Sequence, residues 1–123
     1  MNLEYFPQFW MDTLCRGTVS DVLDLYNPRA VLVPTFSRKI LQGHAELAGY
    51  FKEFMSREGL CGQIDSVIKQ GHTEIVSISG IYTFGWYENG MPTQAQARYT
   101  YVVSHAHTPS WQIITHHSSA MPD

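Results

Sequence analysis

A change of period just after Gly59 constrains this chain more than any other feature. Before it, apolar residues recur at three- and four-residue intervals; after it they alternate, so helices must be followed by strands. Around Leu3 to Arg16, Phe6, Trp10 and Leu14 stand at i, i+4 and i+8 and predict an amphipathic helix ended by Gly17. Ser20 is placed to cap a short second helix, with Asp21 in its first turn, running through Leu25 and Tyr26 and stopping before Pro28. A strand over AVLVP follows. In GHAELAGYFKEFMSREG, Leu47, Phe51, Phe54 and Met55 make one apolar face of a third helix, which Gly59 terminates. Strands are predicted over 74–84, 94–103 and 111–119, with turns at Asn89–Gly90 and at Thr108, Pro109 and Ser110, and a further strand over 63–70.

Helices first and a meander of long strands after them describe an α+β fold. The expected form is a cone-shaped, strongly twisted antiparallel sheet with the N-terminal helices covering its concave face, one domain over 1–123. A chain of 123 residues buries about two-thirds of its unfolded surface and needs no metal or disulfide to hold a core. The mouth of such a cone is a natural ligand site. Eight Lys and Arg against eleven Asp and Glu give a net charge of -3, and no basic run exceeds Arg38–Lys39. Nucleic acid and anionic membranes are poor partners for that surface. The apolar run Ala30–Val33 falls far short of the roughly 18 residues a membrane-spanning helix needs. Cys15 and Cys61 form no CxxC and follow no recognisable export signal, which leads us to expect two reduced thiols in a cytoplasmic protein.

The last strand, WQIITHHSSAMPD, carries the chemistry. Strict alternation puts Trp111, Ile113, Thr115, His117 and Ser119 on one face and Gln112, Ile114, His116 and Ser118 on the other. The first face grades from apolar to polar, as the wall of a pocket would, although a strand emerging into solvent would carry the same gradient. His116 and Ser118 then belong to a structural or interfacial face. Tyr50 sits beside the stripe of the third helix, so its hydroxyl can reach a cavity or lie at the surface edge. Thr35, after Pro34, is either a turn residue or a pocket hydroxyl. Arg98, in mid-strand, must be paired or turned outward. His105 and His107 form an HxH pair, but next to a turn they read as an exposed hairpin tip. His116 and His117 cannot both reach one ion, so no metal is expected.

These residues also carry a resemblance. The run from GMPTQAQARYTYVV through WQIITHHSSAMPD resembles the C-terminal hairpin of the association domain of calcium/calmodulin-dependent protein kinase II and its stand-alone bacterial relatives, within the nuclear transport factor 2 superfamily. HHSSAMP resembles the HHSSxMP signature of the iota-class carbonic anhydrases, and VLVPT with AGYF is similar to the same family's LPT and DYF-like motifs. The resemblance implies a cofactor-free lyase that interconverts carbon dioxide and bicarbonate. Its site residues would be Thr35, Tyr50, His117 and Ser119, with Arg98 similar to a pocket arginine that anchors a small anion, and Trp111 and Ile113 as the apolar wall that admits carbon dioxide. It further implies a homodimer or larger homo-oligomer. Two other functions stay open: a non-catalytic oligomerisation or small-ligand-binding domain, and an isomerase or hydratase of a polyketide-like substrate.

Overall fold

A computed structural model describes residues 2–71, 73–106 and 108–123. A 3-10 turn, Leu3–Tyr5, leads into α1, Phe6–Arg16, with Pro7 in its first turn where a missing N–H costs nothing. Phe6, Trp10 and Leu14 are all buried, as their spacing requires. Truncating Trp10 to alanine would cost about 3–5 kcal/mol. The second helix, α2, covers Val19–Leu23, and its N-cap is Thr18 rather than Ser20. Thr18 and Asp21 form a reciprocal capping box, in which the Asp21 amide donates to Thr18 Oγ1 at 3.1 Å and the Thr18 amide donates to Asp21 Oδ2 at 2.9 Å. Satisfying two orphan donors wins over the single bond that Ser20 could offer. Tyr26 therefore leaves the helix and opens β1, Tyr26–Val33, which runs straight through Pro28.

After the two-residue strand β2, Leu41–Gln42, α3 spans His44–Phe54 and buries Leu47, Phe51 and Phe54. Three strands of fourteen residues follow: β3, Glu58–Gly71; β4, Ile75–Glu88; and β5, Met91–Ser104. The β4–β5 hairpin closes on Asn89 and Gly90, at φ 53° and 79°, a two-residue turn whose twist matches the strands. The last strand, β6, is Gln112–Ala120.

The strands form one strongly curved sheet in the order β2-β1-β6-β5-β4-β3, the α+β cone expected from the pattern. All neighbours pair antiparallel except β1 and β6, which run parallel, so the sheet is mixed. Helices α1 and α3 lie on its inner face: Trp10 packs on Tyr82 and Phe84, Phe51 on Tyr26, and Phe54 on Phe84. Among the described residues no helix is long and apolar enough to cross a membrane.

A bulge in β6 decides which residues face this core. Val103 pairs with Ile113 and Val102 with Thr115, leaving Ile114 as an extra residue opposite none. Beyond it the alternation is shifted by one: Ile113 points inward, and so do His116 and Ser118, while His117 is exposed and Ser119 only half-buried. The uninterrupted alternation expected from the sequence, with His117 and Ser119 beside Ile113, is thereby corrected.

Candidate functional site

Buried tyrosines on an apolar sheet face must find hydrogen-bond partners, and here they find His116. From α1, the Trp10 indole N–H donates to Tyr26 Oη at 3.0 Å. Tyr26 Oη lies 2.8 Å from His116 Nδ1, and His116 Nε2 lies 3.2 Å from Tyr82 Oη. Tyr82 donates to Ser118 Oγ at 2.6 Å, and Ser118 is hydrogen-bonded to Thr35 Oγ1. Five elements or loops thus supply one continuous polar chain through the core. Trp10, Tyr26, Tyr82 and His116 are each no more than 2% exposed.

The chain ends at a narrow cavity with ≈ 10 Å³ open to the centre of a water molecule, room for about one. Trp10, Thr35, Tyr50, Tyr82, His116 and Ser118 are the polar residues of its lining, and Leu32, Phe51, Phe54 and Phe84 supply apolar wall. Tyr50 and Phe54 also form the inner edge of a wide cleft of ≈ 740 Å³, so the cavity lies one side chain away from an open approach. At the rim of that cleft the Arg57 guanidinium sits over Phe36, Phe54 and Trp86, 4.7–5.4 Å from their ring centres.

Burial governs the electrostatics. It pushes His116 down to about 3, with the neighbouring His117 adding to the effect, so the ring is neutral at physiological pH. It pushes Tyr50 up to about 12, against the opposing pull of Arg57 and of a hydrogen bond from the Phe36 backbone. Tyr26 and Tyr82 are raised further by the same cause. The cavity therefore carries hydroxyls and a neutral imidazole, with no charge of its own. Both His116 nitrogens are engaged, which leaves none for a metal. Among the described residues no three His, Cys, Asp or Glu side chains are grouped to hold one.

Of the residues singled out in the sequence, Thr35 and Tyr50 meet at this cavity. His117, Ser119 and Arg98 do not. Arg98 is exposed and pairs across the sheet with Ser119, on the outer face. An arginine there keeps its hydration, which the inner face could not offer. Ile113 is fully buried in the core but does not line the cavity, and Trp111 packs edge-on against His105 at 4.2 Å, away from it. His105 Nε2–H donates to the Thr73 carbonyl, 2.8 Å away; His107 lies outside the described residues. The residues that sequence reading missed are Trp10, Tyr26 and Tyr82. The available signal for Tyr82 was its place in the alternating apolar row Val76, Ile78, Tyr82 and Phe84, because a hydroxyl there must be answered inside the core.

Comparison with known proteins agrees with this architecture. The model of the calcium/calmodulin dependent protein kinase II association domain matches residues 2–122. A proposed association domain of that kind from Xanthomonas campestris is 33% identical, with a TM-score of 0.88 over 97% of this chain and 85% of its own. A proposed dehydratase of the NTF2-like family from Streptomyces avermitilis is 15% identical, with a TM-score of 0.83 over 95% of this chain and 92% of its own. A ketosteroid isomerase-like protein from Erwinia carotovora atroseptica is 19% identical, with a TM-score of 0.72 over 98% and 91%. The last two likenesses concern the fold alone. No curated protein matches the chain.

Proposed function

This chain belongs to the calcium/calmodulin dependent protein kinase II association domain family, and from that premise we propose that it is a metal-independent carbonic anhydrase of the iota type. The observation that carries the reading is the meeting of Thr35, Tyr50, His116 and Ser118 at one narrow cavity. These are the residue types that the HHSSAMP resemblance implies, with the first histidine and the first serine of HHSS in the roles expected of the second of each.

Water occupies the cavity, which has room for about one molecule, and carbon dioxide meets it from the cleft beside Tyr50 and Phe54. The oxygen of a water molecule bonds to its carbon, one C=O bond pair moves onto oxygen, and the water releases a proton to solvent at the cleft. Thr35 and Tyr50 hydroxyls donate to the oxygens on which negative charge develops. Each such donor is worth about 10² to 10³ in rate. His116, held neutral, orients the hydroxyls and does not store the proton. Arg98, on the outer face, has no part in this scheme.

Stopped-flow hydration of carbon dioxide, with and without a chelator, tests the proposal. Activity indifferent to chelator and reduced about 10²-fold by Thr35→Val or Tyr50→Phe is expected. A rate that either variant leaves untouched overturns the reading.

Self-association is the second part of the proposal, supported by the family and by an outer sheet face that α1 and α3 leave uncovered. Half-buried Val31, Val33, Ile81 and Val102 lie on that face, interspersed with Arg98, Thr100, Thr115 and His117. Sedimentation equilibrium at micromolar concentration should show at least a dimer, and a monomer at every concentration would refute this part.

A further inference from the structure

The polar chain through the core has a direction, and its direction can be derived from its buried end. An indole nitrogen can only donate, so Tyr26 Oη accepts from Trp10. Tyr26 is fully buried, and its own proton has one remaining partner, His116 Nδ1. Were Nδ1 protonated, Tyr26 Oη would face two donors and its own buried proton would have no acceptor among these partners, so Nδ1 accepts and the ring proton sits on Nε2. Nε2–H then donates to Tyr82 Oη, and Tyr82 passes its proton to Ser118. Ser118 is 6% exposed and is recorded with two side-chain partners, Tyr82 and Thr35; having accepted from the first, it donates to the second. The hydroxyl proton left without an assignment is that of Thr35, at the cavity.

We infer that Trp10, through the indole N–H it donates to Tyr26, polarises this chain so that the cavity is a hydrogen-bond donor site, selecting small molecules that present an acceptor oxygen and refusing those that can only donate. Trp10 is a positioning residue: its ring lines the cavity, but its N–H is engaged by Tyr26, and it acts on the Thr35 hydroxyl through four intervening side chains. The inference rests on the proposed function for its ligand class, carbon dioxide and bicarbonate. Its core, the direction of the chain, stands on the hydrogen-bond geometry alone. Reversal would require Thr35 to donate inward and the cavity to accept, which would suit an ammonium or amine instead.

The tautomer of His116 reads this direction without reference to activity. Two-bond 1H–15N spectra of the full-length protein labelled at histidine should show His116 protonated at Nε2 and bare at Nδ1. In Trp10→Phe, which keeps a ring stacked on Tyr82, the two tautomers should mix. Bicarbonate and ammonium serve as the probes: wild type should bind bicarbonate at least tenfold more tightly than ammonium, and Trp10→Phe should narrow that ratio severalfold. A His116 proton on Nδ1 in the wild-type protein overturns the inference whatever the activity, and so does a preference for ammonium. Should Trp10→Phe not fold, the wild-type spectrum and the two probes still decide. The expected tautomer in a protein that does not hydrate carbon dioxide would sink the proposed function and leave the direction of the chain intact.

Discussion

The two faces of β6 present the same residue types in the same order, His116 and Ser118 inward, His117 and Ser119 outward, one position apart. The inward pair is enclosed: His116 is wedged among the rings of Trp10, Tyr26, Tyr82 and Tyr101, with both nitrogens bonded. The outward pair shares a face with Arg98, Thr100 and, farther across the sheet, the Asp65 carboxylate that Thr83 holds at 2.6 Å. Low dielectric and fixed partners turn the first histidine into a neutral orienting group. Water does the partnering on the other side. The difference teaches that an HHSS motif does not by itself place chemistry; the face it turns to the core does.

The sharpest way to break the comparison is to exchange the histidines one at a time. His116→Ala should lower carbon dioxide hydration by about 10² or more and cost roughly 2–4 kcal/mol, because Tyr26 and Tyr82 lose a buried partner. His117→Ala should leave the rate within a few fold and stability within about 0.5 kcal/mol. Hydration rate and urea unfolding of both variants measure this directly, and an equal effect at the two positions would erase the distinction between the faces.

A pH series sharpens it further. Burial pushes His116 down to about 3 in the fold from the ordinary histidine value of 6.5. Between those values the unfolded chain binds a proton that the folded site refuses, so stability rises with pH across that window and is lost as acid is added. The slope from this group approaches about 1.4 kcal/mol per pH unit below 6.5 and vanishes again near 3. His116→Gln should remove that contribution, whereas His117→Gln should retain it; denaturant midpoints between about pH 4 and 7 provide the readout.

The smallest effect belongs to the outer face. The carboxyl of Asp65 is held below its ordinary value by the Thr83 hydroxyl, with Gln63 and Gln96 as further donors, and it is open to solvent. Screening and hydration leave such a cluster little to contribute. Asp65→Asn should shift stability by no more than about 0.5 kcal/mol, and a loss of several would mean that the interface proposed on the outer face extends across the sheet to β3.

Much of the cone was legible in the chain. Helix periodicity placed Phe6, Trp10 and Leu14 against the core, and Asn89–Gly90 announced a hairpin that the backbone closes at positive φ. Thr35 and Tyr50, singled out through their motifs, both line the cavity. The inward face of β6 was read off by one position, since nothing in the letters QIITHH marks Ile114 as the residue that the ladder skips.

Amino-acid order alone determined the elements and the stock of chemistry: where the period is helical, where it is two, and that hydroxyls and imidazoles gather at the C-terminal strand. These follow from local sterics and from the need of each element to hide one apolar face. Tertiary structure decided the parallel union of β1 with β6, the outward turn of Arg98, and the choice of His116 over His117. Each of those depends on register between segments remote in sequence, and a single unpaired residue in β6 reverses which side chains water reaches.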